Sequence, residues 1–216
     1  NVYFMIKYIT VIALLIFCGL SSCGTTDSTN NTPSTETINN FPLSVNYWWD
    51  YKMSQPTDTS EYRRSIATTK NINGKEYYMM VTQGYYVNDT SYYRFDKNIV
   101  YMAHLNNGLP NNTETIQFNF NNSEGDSTVE ILSYLDGRKQ KNVITTLKTK
   151  GYELTTATGV HYSKYTGFSV EVSMGNATQW EYSYKQNFYF AKDIGLVYIT
   201  LENKGTIELI NYSFKK

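Results

Sequence analysis

The stretch GFSVEVSM at residues 167–174 decides the fold of this chain. Apolar side chains stand at every second position, and Ser169, Glu171 and Ser173 stand between them. Successive side chains of a β-strand point to opposite faces, so this alternation is typical of a strand with one buried face. The segment therefore predicts a sheet with an apolar side and a polar side.

Further segments on both sides of this strand show the same alternation. In the next segment, aromatic side chains occupy most of the even-numbered positions, and they are Trp180, Tyr182, Tyr184, Phe188 and Phe190. Ile116, Phe118 and Phe120 repeat the pattern, and residues 196–202 and 207–214 are two more apolar strand candidates. A shared parity predicts a shared face, so we expect Trp180 to be buried together with Tyr182 and Tyr184.

Turn residues separate these segments. Asn73-Gly74 lies between the strand candidates 64–70 and 76–82, which is a strong hairpin signal. Three further turns are predicted at Asp136-Gly137, Asp96-Lys97-Asn98 and Asn203-Lys204-Gly205. After residue 22 we find no convincing amphipathic helix. The sequence therefore predicts an all-β fold, an antiparallel meander of about ten strands forming a sandwich or a partly open barrel.

The N-terminal region resembles a bacterial lipoprotein signal. Leu20-Ser21-Ser22-Cys23 is similar to a lipobox, in which the cysteine receives the lipid. The apolar stretch before it, residues 8–20, has 13 residues, and a membrane span needs about 20. An ordinary cleaved signal and a core segment are the alternatives. We expect a signal peptide at 1–22, lipidated Cys23 with a disordered polar tether at 23–40, and one β domain at 41–216.

Charge and cysteine content exclude several classes of function. Without residues 1–22 the chain keeps 194 residues, with 18 Lys and Arg against 19 Asp and Glu. A net charge near −1 without a basic patch predicts no nucleic-acid partner. Cys18 leaves with the signal and Cys23 carries the lipid. The domain then has neither a disulfide nor a thiol for catalysis or metal binding.

Three segments resemble uncharacterised secreted β-rich lipoproteins of the Bacteroidota. Residues 41–52, FPLSVNYWWDYK, are similar to their opening FPLxVGNxWxYx, and residues 188–197, FYFAKDIGLV, to their closing YYAxGVGLV. Residues 92–101 match the style of their middle hairpin. The resemblance implies a fold and an envelope location and no activity. Asn46 and Asp193 stand where that pattern has Gly, and Asn tolerates the left-handed backbone.

Few residues suggest chemistry. His104 and His161 have no neighbours at metal-ligand spacing, so we expect both on the surface. Glu124 and Asp126 lie in a turn, and other acids fall on polar strand faces. The sequence therefore predicts no catalytic residue, no metal site and no cofactor.

Tyrosine pairs are the remaining candidates for binding. Neighbouring residues of a strand point to opposite faces, so each of the pairs 77–78, 85–86 and 92–93 places one ring outside. Tyr78, Tyr86 and Tyr93 are the candidate ligand-facing rings, and exposed aromatics can stack on sugars or peptides. Simple coverage of a two-sided sheet is the alternative. Residues 27–29 and 126–128, both Asp-Ser-Thr, resemble a Bacteroidota O-glycosylation motif.

Together these observations predict a non-enzymatic envelope lipoprotein with a binding or assembly role. We expect it to be held at the outer membrane through its lipid, on a face that the sequence leaves open, with an envelope protein or glycan as partner. A half-barrel carrier of a hydrophobic ligand is the first alternative, and an envelope hydrolase is the second. An apolar cavity open at one rim favours the carrier, and carboxylates or His gathered in a cleft favour the hydrolase.

Overall fold

The computed structural model describes residues 40–84, 87–105, 109, 113–147, 153–176 and 179–214. These form fourteen strands. The strands are β1 (Trp48–Gln55), β2 (Asp58–Ile72), β3 (Lys75–Gly84), β4 (Asn88–Asp96), β5 (Ile99–His104), β6 (Thr113–Asn119), β7 (Ser127–Ser133), β8 (Lys139–Thr146), β9 (Leu154–Thr155), β10 (His161–Tyr162), β11 (Tyr165–Gly175), β12 (Trp180–Ala191), β13 (Gly195–Leu201) and β14 (Thr206–Ser213). None of the described residues belongs to a helix long and apolar enough to cross a membrane.

Twelve strands make one antiparallel sheet in the order β6-β5-β4-β3-β2-β1-β14-β13-β12-β11-β8-β7. Most neighbours are consecutive in the chain, and the first and last strands, β1 and β14, pair with each other. β9 and β10 form a separate two-stranded ribbon. The sheet curls into a nearly closed barrel. The all-β prediction is confirmed, and of its two architectures the partly open barrel is the one observed.

The edge strands β6 and β7 are not paired with each other in the part of the chain that the structure describes, and contacts made by side chains link them there. The Glu130 carboxylate on β7 accepts a hydrogen bond from the backbone N–H of Ile116 on β6. Burial raises the pKa of Glu130, and the bond from Ile116 opposes that rise. Asn122 Nδ2 also donates to Thr128 Oγ1 at 3.4 Å. These two hydrogen bonds link the two sides of the seam.

Positive backbone φ angles explain the hairpin turns. Asn73 and Gly74 have φ of 53° and 77°, and Lys97 and Asn98 have 50° and 64°. Two successive residues with positive φ make the turn whose twist matches the flanking strands. The predicted turns at residues 73–74 and 96–98 are confirmed, and those at 136–137 and 203–205 also join adjacent strands.

The expectation for Trp180 is wrong, because a β-bulge reverses the face of the strand. In the pairing of β11 with β12, Val172 is opposite Tyr184, whereas Ser173 is opposite Tyr182. One extra residue therefore lies between the two tyrosines, and the parity changes there. Tyr184 stays inside with the phenylalanines of β12, whereas Tyr182 is 50% exposed. Trp180 is half-buried on the outer face, with Lys141 Nζ 5.3 Å from its ring centre.

The barrel interior has two chemically different ends. Phenylalanine rings fill the end that carries the β4–β5 and β12–β13 turns, which we call the aromatic end. Its rings pack with centroid distances of 4.9–6.3 Å, and they are Phe41, Phe118, Phe120, Phe168, Phe188 and Phe190. Phe41 precedes β1, so the chain enters the barrel at this end. The opposite end carries the β3–β4, β5–β6 and β7–β8 connections, and we call it the polar end.

Candidate functional site

A cavity of about 170 Å³ lies at the polar end, between β4–β6 on one side and β7, β8 and β12 on the other. Apolar residues that include Met102, Leu105 and Leu132 form part of its wall. Six polar or aromatic side chains that point into the barrel form another part, and they are His104, Gln117, Tyr134, Gln140, Asn142 and Tyr184. Thr90 is exposed and also contacts the cavity, so the cavity reaches solvent there. The seam between β6 and β7 thus crosses the wall of a polar pocket.

A chain of hydrogen bonds orders the β8 side of the cavity. Tyr134 donates its hydroxyl to Gln140 Oε1 at 2.9 Å, and Gln140 Nε2 donates to Asn142 Oδ1 at 2.8 Å. Gln140 and Asn142 are two residues apart on β8, so their side chains point to the same face, which is the barrel interior. Both side chains are buried. Asn142 accepts through its oxygen, which leaves its N–H groups as donors for another partner.

A second polar cluster lies on β5 and β6, across the seam. The Thr115 hydroxyl lies 2.9 Å from His104 Nε2 and accepts a hydrogen bond from Gln117 Nε2 at 2.8 Å. His104 is 6% exposed, so the expectation of a surface histidine is wrong for this residue. His104 follows the buried residues Val100 and Met102 at every second position of β5. This alternation could have predicted from the sequence that His104 is buried. Burial lowers the pKa of His104 to about 4, so the ring is neutral at pH 7.

Tyr184 completes the wall from β12. Its hydroxyl is buried and has no hydrogen-bond partner among the residues that the structure describes. Burial raises the pKa of Tyr184, and nearby Tyr134 adds to the rise. A buried hydroxyl without a partner costs about 1–3 kcal/mol relative to water. This hydroxyl is therefore a polar atom that a bound molecule can satisfy.

Among the described residues that line the cavity, one side chain is acidic. Asp89 is half-buried at the start of β4 and accepts a hydrogen bond from Ser91 Oγ at 2.7 Å. The lining residues that the structure describes include neither Lys nor Arg. Within this described lining, the Asp89 carboxylate at the mouth is therefore the charged side chain at pH 7.

Two of the three candidate tyrosines have defined positions. Tyr78 on β3 and Tyr93 on β4 are directly opposite each other, which places them on one face of the sheet. That face is the interior: Tyr93 has 0% exposure and Tyr78 is half-buried against the core. The expectation that Tyr78 and Tyr93 face outward is therefore wrong, and Tyr92 is the outer ring of the pair 92–93. Tyr86 lies outside the described residues, as does Cys23.

His161 is exposed, as predicted, on β10. Its Nε2 lies 3.7 Å from Glu153 Oε2, and its Nδ1 lies 3.0 Å from Thr155 Oγ1. Within the described part of the chain, no three His, Cys, Asp or Glu side chains lie close enough together to hold a metal ion. The predicted absence of a bound metal stays a prediction.

An ion-pair network lies on the outer face of β3–β6, apart from the cavity. Arg94 binds Glu114 through two N–H groups, each at 2.8 Å, and Lys75 Nζ lies 2.9 Å from the same carboxylate. Tyr77 also donates its hydroxyl to Glu114. Ala103 is opposite Glu114 on the strand between them, and its small side chain lets Glu114 reach across. The network is structural, because its members are bonded to one another.

Comparison with known proteins shows the fold. A crystal structure from Parabacteroides distasonis, of a protein provisionally described as a lipoprotein, superposes with a TM-score of 0.51 at 10% identity. It covers 83% of this chain and 100% of its own. A second structure, from Bacteroides fragilis, is provisionally described as an exported protein with a YmcC-like fold. It has a TM-score of 0.49 and 9% identity, with 81% and 98% of the two chains covered. No protein-family model and no curated protein matches this chain.

The Parabacteroides distasonis structure matches this chain over its own full length. At 10% identity it shows that the chain shares the barrel architecture of that protein. It therefore agrees with the fold implied by the resemblance of residues 41–52 and 188–197 to Bacteroidota lipoproteins.

Proposed function

We propose that this protein is a lipid-anchored envelope protein that binds a small polar molecule in the cavity at the polar end of its barrel. The cavity is the observation that carries the binding role. The anchor rests on the lipobox-like segment ending at Cys23. Outer membrane is the membrane we favour, because Gly24 follows the cysteine and nothing in the sequence suggests retention at the inner membrane.

The direction of the chain supports a site that faces away from the membrane. Phe41 packs on Phe120 and Phe190 at the aromatic end, with centroid distances of 6.3 and 5.4 Å. A tether at 23–40 therefore joins the barrel at that end, and the cavity lies at the other. A ligand would then arrive from the aqueous side. This placement suits a soluble molecule or an exposed glycan better than a lipid extracted from the bilayer.

The chemistry of the interior favours a polar ligand over the hydrophobic-carrier alternative. An acyl chain needs a long apolar cavity, whereas the aromatic end is filled by rings such as Phe118, Phe188 and Phe190, each with 0% exposure. The space at the polar end is small, and hydrogen-bonding side chains such as Gln140 and Asn142 line it beside apolar residues such as Leu132. An acyl chain there would leave those groups unpaired, which costs free energy.

A non-catalytic role is the simpler assignment for this pocket. His104 is held by Thr115, and its pKa near 4 makes it a weak base at neutral pH. Asp89 lies at the rim and is bonded to Ser91. A hydrolase of the two-carboxylate type needs a second acid beside the first, and the described lining supplies one.

Filling the cavity tests the binding role. Leu132 lies in the wall and is 3% exposed, so Leu132→Trp places an indole in the pocket. Ile131→Trp is the matched control, because Ile131 is 55% exposed on the outer face of the same strand. The probe is a deproteinised small-molecule extract of the host's cell envelope, added to the purified full-length lipoprotein in detergent.

A molecule that binds the folded state raises the melting temperature. We expect the extract to raise it for the wild type and for Ile131→Trp, and to leave that of Leu132→Trp unchanged. An equal rise in all three proteins would place binding outside the cavity. No rise in the wild type would remove the binding role.

A further inference from the structure

The structure assigns a ligand class to this cavity: we propose that it binds one uncharged sugar ring, edge-on to the amides of β8 and against the tyrosines beside them. The inference rests on the proposed binding function and goes beyond it by naming the ligand chemistry. The size of the pocket, its hydrogen-bonding groups, its aromatic surface and its charge support this ligand class.

Size limits the ligand to a small molecule. The cavity has a volume of about 170 Å³, whereas pockets for drug-sized ligands have roughly 300–1,000 Å³. A single six-membered ring with its substituents matches the smaller space. A longer glycan would place one residue inside and leave the rest beyond the rim at Thr90.

The hydrogen-bonding groups suit a molecule that both donates and accepts. Asn142 retains N–H donors after accepting from Gln140, and Gln117 retains its carbonyl oxygen after donating to Thr115. The Tyr184 hydroxyl can donate or accept. Sugar hydroxyls do both, so a ring can pair with donors and acceptors on opposite walls. An acyl chain or a purely aromatic ligand can do neither.

Aromatic surface accompanies these polar groups. Tyr134 and Tyr184 both line the cavity, and they lie close enough for Tyr134 to raise the pKa of Tyr184. The C–H faces of a sugar ring pack on aromatic rings while its hydroxyls reach polar neighbours. A pocket with tyrosines and side-chain amides therefore offers both an aromatic surface for the C–H groups and hydrogen-bond partners for the hydroxyls.

Charge argues for a neutral ring. An anionic sugar would meet the Asp89 carboxylate, and the described lining holds no Lys or Arg to pair with it. His104 contributes no positive charge at pH 7, since its ring is buried against Thr115. A cationic sugar could pair with Asp89 alone, at the rim and outside the amide-lined depth.

The test compares related sugars on the full-length lipoprotein in detergent. Methyl β-D-glucopyranoside and N-acetylglucosamine are the neutral probes, glucosamine and glucuronate are the charged ones, and palmitate represents the acyl chain. Saturation-transfer NMR and thermal unfolding measure binding. We expect at least one neutral sugar to bind, and to bind about fivefold or more tightly than its charged counterpart.

Tyr184→Phe separates a binding role from a structural one. The substitution removes a hydroxyl that has no partner among the described residues, so the melting temperature should stay the same or rise. Binding of the neutral sugar should weaken about fivefold, the loss of one hydrogen bond. Tyr198→Phe is the control, because Tyr198 is a buried tyrosine on the outer face of β13, away from the cavity. It should leave sugar binding unchanged.

Four outcomes overturn the inference. They are tighter binding of glucosamine or glucuronate, binding of palmitate in place of sugars, sugar binding that survives both Tyr184→Phe and Leu132→Trp, and no binding by any probe sugar. If Tyr184→Phe does not fold, Leu132→Trp decides alone. When every sugar fails while the envelope extract still stabilises the wild type and not Leu132→Trp, the sugar assignment is wrong and the proposed binding function stands.

Discussion

Trp49 donates its indole N–H to the carbonyl oxygen of Ile194 at 2.9 Å, although 145 residues separate them. Tyr51, two residues later, donates its hydroxyl to the carbonyl oxygen of Leu196 at 3.0 Å. The opening segment 41–52 is thereby bound to the closing segment 188–197. Both residues that replace Gly in the resemblance have left-handed backbone, with φ of 73° at Asn46 and 60° at Asp193. The two segments therefore form one structural unit.

Removing one of these bonds should destabilise the barrel without changing its shape. Tyr51→Phe keeps a fully buried ring and leaves the Leu196 carbonyl without this donor. We expect a loss of about 1–3 kcal/mol in the free energy of unfolding. Tyr212→Phe, at a residue 43% exposed, should cost less than about 0.5 kcal/mol. Urea denaturation measures both, and equal effects would contradict the role given to the Tyr51 hydroxyl.

The bulge in β12 predicts unequal costs for two aromatic truncations on that strand. Phe188 has 0% exposure in the core, so Phe188→Ala should cost about 3–5 kcal/mol. Trp180 is half-buried on the outer face beside Lys141, so Trp180→Ala should cost about 1 kcal/mol. Thermal and urea unfolding of the two variants check this. A Trp180→Ala protein as unstable as Phe188→Ala would show that the indole is inside.

Stability should fall in mild acid because His104 is buried and neutral. Its pKa is about 4 in the folded protein against 6.5 for an unperturbed histidine. The unfolded chain therefore takes up a proton first, and stability present above pH 6.5 is lost as the pH falls towards 4. The loss from this residue should be about 3 kcal/mol.

A variant isolates that contribution from the carboxylates that titrate in the same range. His104→Gln keeps a side chain that can bond to Thr115 and does not ionise. The difference in unfolding free energy between wild type and His104→Gln should change between pH 7 and pH 4, measured by urea denaturation at each pH. A constant difference would mean that His104 is accessible to protons in the folded state.

The two cationic side chains bonded to Glu114 should contribute unequally to the free energy of unfolding. Arg94 makes two hydrogen bonds to Glu114, and its side chain is 13% exposed, whereas that of Lys75 is 51% exposed. Lys75→Ala should cost less than about 1 kcal/mol, as surface pairs do. Arg94→Ala should cost more, about 2–3 kcal/mol, because it leaves Glu114 without its main partner. High salt should reduce the Lys75 effect first.

The lipid anchor depends on a single side chain. Cys23→Ala should release the protein from membranes and abolish metabolic labelling with palmitate. Fractionation and labelling of wild type and variant measure this, with Cys18→Ala as the control, since Cys18 lies inside the predicted signal peptide. A wild type that takes up no label would refute the anchor.

The sequence by itself determined the strands and their turns. Alternation over residues 167–174 and the Asn73-Gly74 turn depend on contacts between neighbours along the chain, and local geometry fixes them. Tertiary structure decided which face of a strand is inside wherever register changes. The bulge beside Tyr184 turned Trp180 outward, and the pairing of Tyr78 with Tyr93 turned both inward. No local pattern in the sequence predicts which of these side chains face the interior, because that depends on the pairing with the neighbouring strand.

The cavity could not be predicted from the sequence for the same reason. Its polar side chains lie on strands that are far apart along the chain, and curling of the sheet brings the edge strands β6 and β7 together. Gln140 and Asn142 show a period-two pattern that, read alone, is that of an exposed polar face. Burial of that face follows from barrel closure, since an amide points to solvent in an open sheet and into a cavity once the sheet has curled.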